Sequence, residues 1–252
     1  MLVFIIPVYN ESENIPILLS KIKKLMDDKS FRYKIIAIND GSTDNSLFIL
    51  KEHSQHIPME ICNHTTNLGP GKAFLTGFTT ALEIASDDDV IVTLEADNTS
   101  DLAILPELIS KLNNGNDVVL ASCYASGGKV LNTLFYRRFI SWAANLLIKN
   151  LFSIKQIHTF SSFYRVYQTK ALKATFNYFG DSTIEQKGFS CMTELLLKFK
   201  VLGLKIAEVP MCLKSDIRQG KSKMKIFKTT IEYFCLFLKF LVNRRKYIKK
   251  TL

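Results

Sequence analysis

Short continuous apolar runs alternate with stretches of helical spacing along the first half of the chain. The runs predict strands at Val3–Val8, Tyr33–Ile38, Met59–Cys62, Val90–Leu94 and Asp117–Ala121. Apolar residues three or four positions apart predict helices at Ile15–Met26, from Ser46 to Lys51, at Gly71–Ile84 and at Leu102–Leu112. Because strands and helices alternate, the pattern predicts an α/β fold with a mostly parallel sheet that helices cover on both faces.

The pattern of the second half is less regular. It predicts helices at Leu131–Leu151 and Phe189–Leu202, and strands at Phe163–Tyr167 and Lys205–Val209. The last apolar stretch, Ile226–Val242, has an uncharged run of only six residues, Tyr233–Leu238. A membrane-spanning helix needs about 20 apolar residues, so we expect an amphipathic surface helix instead. We therefore divide the chain into a domain of residues 1–225 and a basic C-terminal helix of residues 226–252.

Positive charge is concentrated at the C-terminal end of the chain. The net charge is +10, and the segment from Arg218 onward holds eleven Lys or Arg and one acid, Glu232, so residues 1–217 are neutral. A basic, apolar helix is typical of proteins that bind an anionic membrane surface. The neutral domain offers no second basic surface for nucleic acid, so we expect no nucleic-acid partner. The alternative is a helix packed on its own domain with a solvated basic end.

The cysteines and the N-terminus indicate a cellular compartment. The five cysteines are scattered without a Cys-x-x-Cys pair, which argues against a zinc site or a disulfide framework and favours a reducing cytosol. The apolar N-terminus has no basic leader and turns acidic, so it predicts a first strand and not a signal peptide. Together with the basic tail, these features predict a peripheral protein on the cytoplasmic face of a membrane.

Polar residues follow four of the predicted strands where each strand ends. The segments are Pro7–Glu11, Asn39–Asp44, Asn67–Lys72 and Glu95–Asp97. The carboxyl ends of parallel strands meet at one edge of the sheet, where such folds bind ligands. Glu95 and Asp97 can point the same way from a strand, and a divalent cation would relieve the repulsion between their carboxylates. The alternative is a solvated strand end with both acids facing water.

The glycine-rich segment Asn67–Lys72 matches neither common nucleotide-binding loop. A P-loop would need Gly in place of Thr66 and Ser or Thr in place of Ala73. A dinucleotide-binding loop would need a third glycine where Phe74 stands. The segment can still let the backbone approach a ligand closely.

Taken together, these segments resemble glycosyltransferase family 2 of the GT-A (Rossmann-like) fold, especially its dolichyl-phosphate mannose and polyprenyl-phosphate sugar synthases. The matching residues are Pro7-Val8-Tyr9-Asn10-Glu11, Asn39-Asp40-Gly41-Ser42-Thr43-Asp44, Asn67-Leu68-Gly69-Pro70-Gly71-Lys72-Ala73, Glu95-Ala96-Asp97, Glu208-Val209-Pro210 and Arg218-Gln219-Gly220-Lys221-Ser222-Lys223. The resemblance spans residues 1–225. It implies an inverting enzyme that transfers a hexose-type sugar from a nucleotide-diphosphate sugar to a lipid-linked acceptor.

The resemblance also implies roles for individual residues. The residues that would contact the donor nucleotide are Pro7, Tyr9, Glu11, Asn39, Asp40, Gly69, Gly71 and Lys72. Asp97, with Glu95, would hold Mg²⁺ or Mn²⁺ on the diphosphate, and Arg218 and Lys223 would reach the phosphates from a late loop. Arg137 and Ser141, one helical turn apart, would bind the phosphate of the acceptor.

Three positions depart from the family pattern. Glu95 replaces the first Asp of the family's Asp-x-Asp, and Asn39 replaces the first Asp of its Asp-Asp-Gly-Ser. Cys123 stands where the polyprenyl-phosphate branch has Arg, and a thiol does not bind phosphate as Arg does. The acceptor could therefore be a sugar hydroxyl in surface-polysaccharide assembly. A hydroxyl acceptor needs a general base, for which Glu194 is the candidate unless it is an exposed helix carboxylate.

Two hypotheses from other functional classes are compatible with the same residues. A sugar-phosphate nucleotidyltransferase also uses carboxylates, a divalent metal and a glycine-rich loop. A non-catalytic membrane-binding protein could keep the same fold without turnover.

Overall fold

The structure is a computed structural model that describes residues 1–133, 142, 145–146, 148–149, 154, 156–220 and 226–249. Within the last of these ranges, the side chains of residues 229–240 and 242 are described. Most of the predicted helix Leu131–Leu151 lies outside the described residues, so that prediction is untested.

Nine strands form two sheets in the described part of the chain. The strands are β1 (Leu2–Val8), β2 (Tyr33–Asp40), β3 (Met59–His64), β4 (Val90–Thr93), β5 (Val118–Ser122), β6 (Lys129–Leu131), β7 (Arg165–Gln168), β8 (Ile206–Pro210) and β9 (Cys212–Lys214). The main sheet has the order β3-β2-β1-β4-β7-β5-β8, and β6 pairs with β9 in a separate parallel ribbon. In the main sheet β7 runs antiparallel to β4 and β5, and the other pairs are parallel. The predicted mostly parallel sheet is confirmed.

Seven α-helices flank the sheets within the described ranges. They are α1 (Ile15–Lys29), α2 (Ser46–His53), α3 (Pro70–Ile84), α4 (Leu105–Asn113), α5 (Thr169–Phe179), α6 (Cys191–Val201) and α7 (Ile226–Lys249). The sequence pattern predicts each of these except α5. The buried positions of α5 include Thr169, Ala171 and Thr175. Because these residues are small or polar, they leave little apolar periodicity in the sequence.

The two faces of the main sheet pack against different helices. Successive side chains of a strand point to opposite faces, so Val3 and Ile5 belong to one buried cluster and Phe4 and Ile6 to the other. The first cluster includes buried side chains of α3, α5, α6 and α7, and the second includes side chains of α1, α2 and α4. Helices therefore cover both faces of the sheet, as the sequence predicts.

Helix α7 packs into the domain through one side and exposes apolar side chains on the other. Leu236, Phe237 and Phe240 are buried in the cluster that contains Val3 and Ile5. The exposed large apolar side chains of the helix are Ile231, Phe234, Leu238 and Val242. Their spacing of three or four residues places them along one stripe, on the side opposite the core. In the described part of the chain, every helix is too short or too polar to cross a membrane.

Candidate active site

The loops that follow β1 and β2 are held together by side-chain hydrogen bonds. Asn10 has a positive φ of 54° and accepts a hydrogen bond at Oδ1 from the backbone N–H of Thr43, at 2.8 Å. The backbone N–H of Asn10 donates to Ser42 Oγ at 3.0 Å, and that of Glu11 donates to Ser46 Oγ at 2.9 Å. These bonds place the two polar segments side by side at the carboxyl edge of the sheet.

A cavity of about 730 Å³ opens at this edge, a size typical of small-molecule sites. Among the predicted donor-binding residues, Pro7, Tyr9, Glu11, Asp40 and Gly69 line it. Glu95, Asp97 and Arg218 line the same cavity, so the structure brings together residues that are far apart in the sequence. Further lining residues come from the segments 121–124, 130–133, 159–163, 187–189 and 211–215 and from the start of α7.

The carboxylate of Asp40 fixes the glycine-rich loop at the edge of the cavity. Asp40 accepts hydrogen bonds from the backbone N–H groups of Leu68 at 3.0 Å and Gly69 at 2.9 Å. Its Oδ1 also lies 2.7 Å from Nδ1 of His64, on the neighbouring strand. The buried Asp40 therefore links the end of β2, the end of β3 and the loop before α3.

Glycine at positions 69 and 71 lets this loop lie against the segment before α6. Gly69 has a φ of +90°, which favours glycine, and it lines the cavity. A Cβ atom on Gly71 would overlap the carbonyl oxygen of Gln186, and the N–H of Gly71 donates to the carbonyl of Lys187 at 2.9 Å. Gly71 thus joins the loop to the backbone before α6. Lys72 is exposed, and the predicted donor-binding residues Gly71 and Lys72 are both absent from the lining of the cavity.

Glu194 holds the same segment, and the structure does not support its prediction as a general base. The side chain is fully buried in α6 and is absent from the described lining of the cavity. Its Oε2 accepts hydrogen bonds from the N–H groups of Glu185 and Gln186 at 2.9 and 2.8 Å, and its Oε1 pairs with Lys198 Nζ at 2.7 Å. Because both oxygens are engaged inside the protein, Glu194 positions the backbone before α6 and does not face an acceptor.

Asp97 is the centre of the charged part of the site. Its Oδ1 accepts hydrogen bonds from the backbone N–H and the hydroxyl of Thr99, at 3.0 and 2.7 Å. Its Oδ2 is paired with the guanidinium of Arg218. Glu95 accepts a hydrogen bond from the hydroxyl of Ser100 at 3.1 Å, and burial raises the pKa of Glu95.

The chemistry of this carboxylate pair fits a divalent cation that a ligand completes. Among the described residues, His, Cys, Asp and Glu side chains form no group of three or more that could hold a metal. Two carboxylates with further oxygens from phosphate and water are the usual arrangement for Mg²⁺. In this structure the positive charge that compensates the Asp97 carboxylate is the guanidinium of Arg218. The chemistry of these residues therefore fits Mg²⁺ or Mn²⁺, and Glu95 and Asp97 are the side chains that could hold the ion.

Two buried side chains position the wall of the cavity that residues 159–163 form. Glu208, from the predicted late motif, accepts hydrogen bonds at Oε1 from the N–H groups of His158 and Thr159, both at 2.8 Å. Arg165 is fully buried and donates to the carbonyl oxygens of Phe160, Ser162 and Met192 at 2.7–2.8 Å. The segment that lines the cavity at residues 159–163 is thus fixed from both ends.

Cys123 lines this wall as a neutral thiol. Burial raises the pKa of Cys123 to about 11, so the thiolate is rare at neutral pH. A neutral thiol offers no charge to an acceptor phosphate. If the acceptor carries a phosphate, its positive partner must come from elsewhere in the chain.

One further predicted residue, Asn39, does not line the cavity, and three others lie outside the described residues. Asn39 is buried next to it, is not among its lining residues, and donates from Nδ2 to Asn63 Oδ1 at 2.7 Å. Arg137, Ser141 and Lys223 lie outside the described residues. Their predicted roles therefore stay predictions.

The structure adds residues of α7 that the sequence analysis did not assign to the site. Thr229, Glu232 and Tyr233 line the cavity from the inner side of this helix. Two signals pointed to them: their spacing of three and four residues places them on one side of a helix, and Glu232 is the single acid after Arg218. Neither signal shows that this side faces the cavity, because that depends on how α7 packs.

Comparisons with known proteins support the resemblance. Residues 3–176 match the model of glycosyl transferase family 2. A dolichol-phosphate mannosyltransferase of Pyrococcus furiosus is 31% identical over 230 residues, which cover 91% of this chain and 60% of the relative. An undecaprenyl-phosphate mannosyltransferase of Micrococcus luteus is 28% identical over 221 residues, covering 87% of this chain and 86% of the relative.

The fold has a counterpart among solved structures. Glucosyl-3-phosphoglycerate synthase from Mycobacterium tuberculosis, crystallised with Mn²⁺, uridine diphosphate and phosphoglyceric acid, superposes with a TM-score of 0.67 at 16% identity. The match covers 96% of this chain and 78% of that one. At this identity the likeness concerns the fold, and it confirms the predicted GT-A architecture.

Proposed function

The chain belongs to glycosyl transferase family 2, and on that basis we propose that it is an inverting, metal-dependent glycosyltransferase. It moves a hexose-type sugar from a nucleotide-diphosphate sugar to a polyprenyl phosphate or another lipid-linked acceptor. The names of the relatives from Pyrococcus furiosus and Micrococcus luteus support a polyprenyl-phosphate acceptor and a mannosyl group. The chain spans 60% of the length of the first of these relatives, so the proposal concerns the part that they share.

The observation that carries the proposal is the convergence of Glu95, Asp97 and Arg218 in one cavity with the glycine-rich loop. Pro7, Tyr9, Glu11 and the loop that Asp40 holds would enclose the nucleotide. Glu95 and Asp97 would hold Mg²⁺ or Mn²⁺, as the crystallised Mn²⁺ of the structural neighbour suggests. A bound divalent ion supplies positive charge that stabilises the diphosphate as it leaves.

Arg218 would stabilise the same leaving group from the protein. As the acceptor oxygen bonds to the anomeric carbon, the bond from that carbon to the diphosphate breaks and negative charge grows on the diphosphate. A guanidinium held in place beforehand stabilises this charge more in the transition state than in the ground state. Asp97 would orient Arg218 for this role, because the two side chains are paired.

A second candidate acceptor is a sugar hydroxyl, as in the assembly of a surface polysaccharide. The neutral thiol of Cys123 favours it, because this wall then lacks the charge that a phosphate would need at that position. A nucleotidyltransferase is the alternative from another class. Release of a nucleoside diphosphate indicates glycosyl transfer, whereas release of pyrophosphate indicates nucleotidyl transfer.

The test of the proposed function is a calorimetric titration with UDP, GDP, CDP and dTDP in Mn²⁺, repeated in EDTA. We expect one nucleotide to bind with Mn²⁺ and to lose at least about tenfold in affinity in EDTA, because the carboxylate pair needs the ion to accept a diphosphate. The matching nucleotide sugar is then incubated with a polyprenyl phosphate, and the released nucleoside diphosphate is quantified. Absence of binding by all four nucleotides would refute the proposal.

The C-terminal segment 226–252 would attach the enzyme to an anionic membrane surface, on the cytoplasmic side. The exposed stripe of Ile231, Phe234, Leu238 and Val242 supports this, because one side of α7 presents apolar groups to solvent. Residues 244–250 of the sequence add five Lys or Arg next to the stripe. Apolar burial and attraction to anionic lipid act together in such helices.

A double variant, Phe234→Glu with Leu238→Glu, is expected to lower partitioning onto phosphatidylglycerol vesicles by at least about tenfold. The change removes apolar area that would enter the membrane and adds two like charges facing it. Co-sedimentation of the full chain with vesicles measures the effect. Truncation of α7 is unsuitable as a test, because it would also remove Leu236, Phe237 and Phe240 from the core.

Phe48→Glu is the matched control, since Phe48 and Phe234 are both 63% exposed and Phe48 lies on α2. The control is expected to bind vesicles as the parent protein does. Equal binding by the double variant and the control would refute the membrane role of the stripe.

A further inference from the structure

The single acid in the basic C-terminal segment lies in the cavity. Glu232 is half-buried on the inner side of α7 and lines the cavity between Thr229 and Tyr233. Its Oε2 is shielded from solvent and has no hydrogen-bond partner in the described part of the chain. A shielded carboxylate oxygen without a donor is costly, so it is expected where a ligand supplies the donor.

Gly188 makes room for this carboxylate. A Cβ atom at position 188 would overlap both carboxylate oxygens of Glu232. Gly188 also lines the cavity, within the segment that Glu194 holds through the N–H groups of Glu185 and Gln186. The glycine and the fixed backbone beside it therefore let the acid sit at the cavity wall.

We propose that Glu232 accepts a hydrogen bond from a hydroxyl group of the substrate, an inference that rests on the proposed glycosyl transfer. An ionised carboxylate is only an acceptor and repels phosphate, so its partner has to be a neutral or cationic donor. A hexose carries several hydroxyl groups, and each can donate. Glu232 is therefore a specificity residue for the sugar part of the reaction and not for the diphosphate.

The hydroxyl can belong to the donor hexose or to the acceptor. In the first case Glu232 orients the transferred sugar. In the second case it acts as the general base that the sequence analysis assigned to Glu194. The proton of the acceptor hydroxyl then moves to Oε2 as the oxygen bonds to the anomeric carbon, and the electron pair of the broken bond leaves with the diphosphate.

Calorimetry of the full chain tests whether the hydroxyl belongs to the hexose of the nucleotide sugar, and it separates that contact from a structural effect of the substitution. For Glu232→Ala, a donor contact predicts that the nucleotide sugar binds at least about tenfold more weakly, because a charge-assisted hydrogen bond is lost. Affinity for the nucleoside diphosphate alone is expected to stay unchanged, since it carries no hexose. Glu52→Gln, an exposed acid on α2, is the control and is expected to bind both ligands normally.

Hydrolysis of the nucleotide sugar tests whether Glu232 acts on the acceptor hydroxyl, because water then takes the place of the acceptor. A general base predicts that Glu232→Gln and Glu232→Ala lower the release of nucleoside diphosphate about 100-fold, with donor affinity unchanged.

The inference is overturned if both variants keep the parent's donor affinity and hydrolysis rate. It is also overturned if the affinity for the nucleoside diphosphate falls as much as that for the sugar nucleotide, which would show a general disturbance of the cavity. A parent protein that binds no nucleotide sugar would overturn the proposed function as well. If the parent protein binds the nucleotide sugar and the Glu232 variants keep its donor affinity and hydrolysis rate, only this inference is overturned.

Discussion

An Asp97→Asn variant is expected to stay folded and to lose on the order of 10³-fold in turnover, the scale of removing one preorganised electrostatic group. Asparagine keeps the oxygen that accepts from Thr99, so the local turn is preserved. It loses the negative charge that pairs with Arg218 and that would hold the divalent ion. Released nucleoside diphosphate measures turnover, and calorimetry with Mn²⁺ and with EDTA measures the metal-dependent binding.

Asp101→Asn is the matched control for this variant, because it makes the same change four residues away. Asp101 Oδ1 accepts from the N–H of Ala103 at 3.0 Å at the start of a short helix, and asparagine serves there equally well. The control is expected to keep parental activity. If Asp97→Asn keeps the turnover of the parent protein, the carboxylate pair of Glu95 and Asp97 does not take part in the proposed reaction.

The second large effect is expected from Asp40→Asn, which should lower the free energy of unfolding by about 3 kcal/mol. Hydrogen bonds to a charged group are each worth about 1.5–3 kcal/mol. Asp40 accepts from the N–H groups of Leu68 and Gly69, and its Oδ1 is also hydrogen-bonded to Nδ1 of His64. An amide turned toward these donors leaves at least one of them without an acceptor. Urea unfolding measures the loss, and weaker nucleotide binding should accompany it, because Gly69 lines the cavity.

Asp88→Asn provides the comparison for stability, since Asp88 is exposed at the surface before β4. Its unfolding free energy is expected to stay within about 0.5 kcal/mol of the parent value. If Asp40→Asn unfolds at the same urea concentration as this control, the glycine-rich loop does not depend on Asp40.

Helix α7 links two proposals about this protein, the substrate contact of Glu232 and the attachment to a membrane. Its inner side places Glu232 in the cavity, its buried side joins the core, and its outer stripe faces solvent. Lys239 of this helix also pairs with Glu185, beside the segment that supports the glycine-rich loop, at 2.8 Å. A membrane bound to the outer stripe would therefore lie against the same helix that forms a wall of the site.

The sequence by itself determined the parallel sheet and the sheet edge at which the candidate donor site is proposed. Apolar runs of strand length followed by polar residues locate the carboxyl ends of β1, β2 and β4, and in a parallel sheet these ends meet. Local patterns suffice here because each strand and its following loop are continuous in sequence. The pair of Glu95 and Asp97 could be recognised for the same reason, since both carboxylates come from one strand end.

Helix α5 and the antiparallel direction of β7 were decided only by the tertiary structure. Thr169 and Thr175 are buried polar residues whose hydroxyl groups donate to carbonyl oxygens, so their burial leaves no apolar signal. The direction of β7 depends on its pairing with β4 and β5, which are distant in sequence.

The placement of the Glu194 and Glu232 side chains was also decided only by the tertiary structure. Both are acids on helices rich in apolar residues, and the sequence pattern favoured Glu194. In the fold, Glu194 turns inward to Lys198 and to the backbone N–H groups before α6, whereas Glu232 turns to the cavity. The physical reason is that helical periodicity defines the sides of a helix, while only packing between distant segments decides which side meets the site.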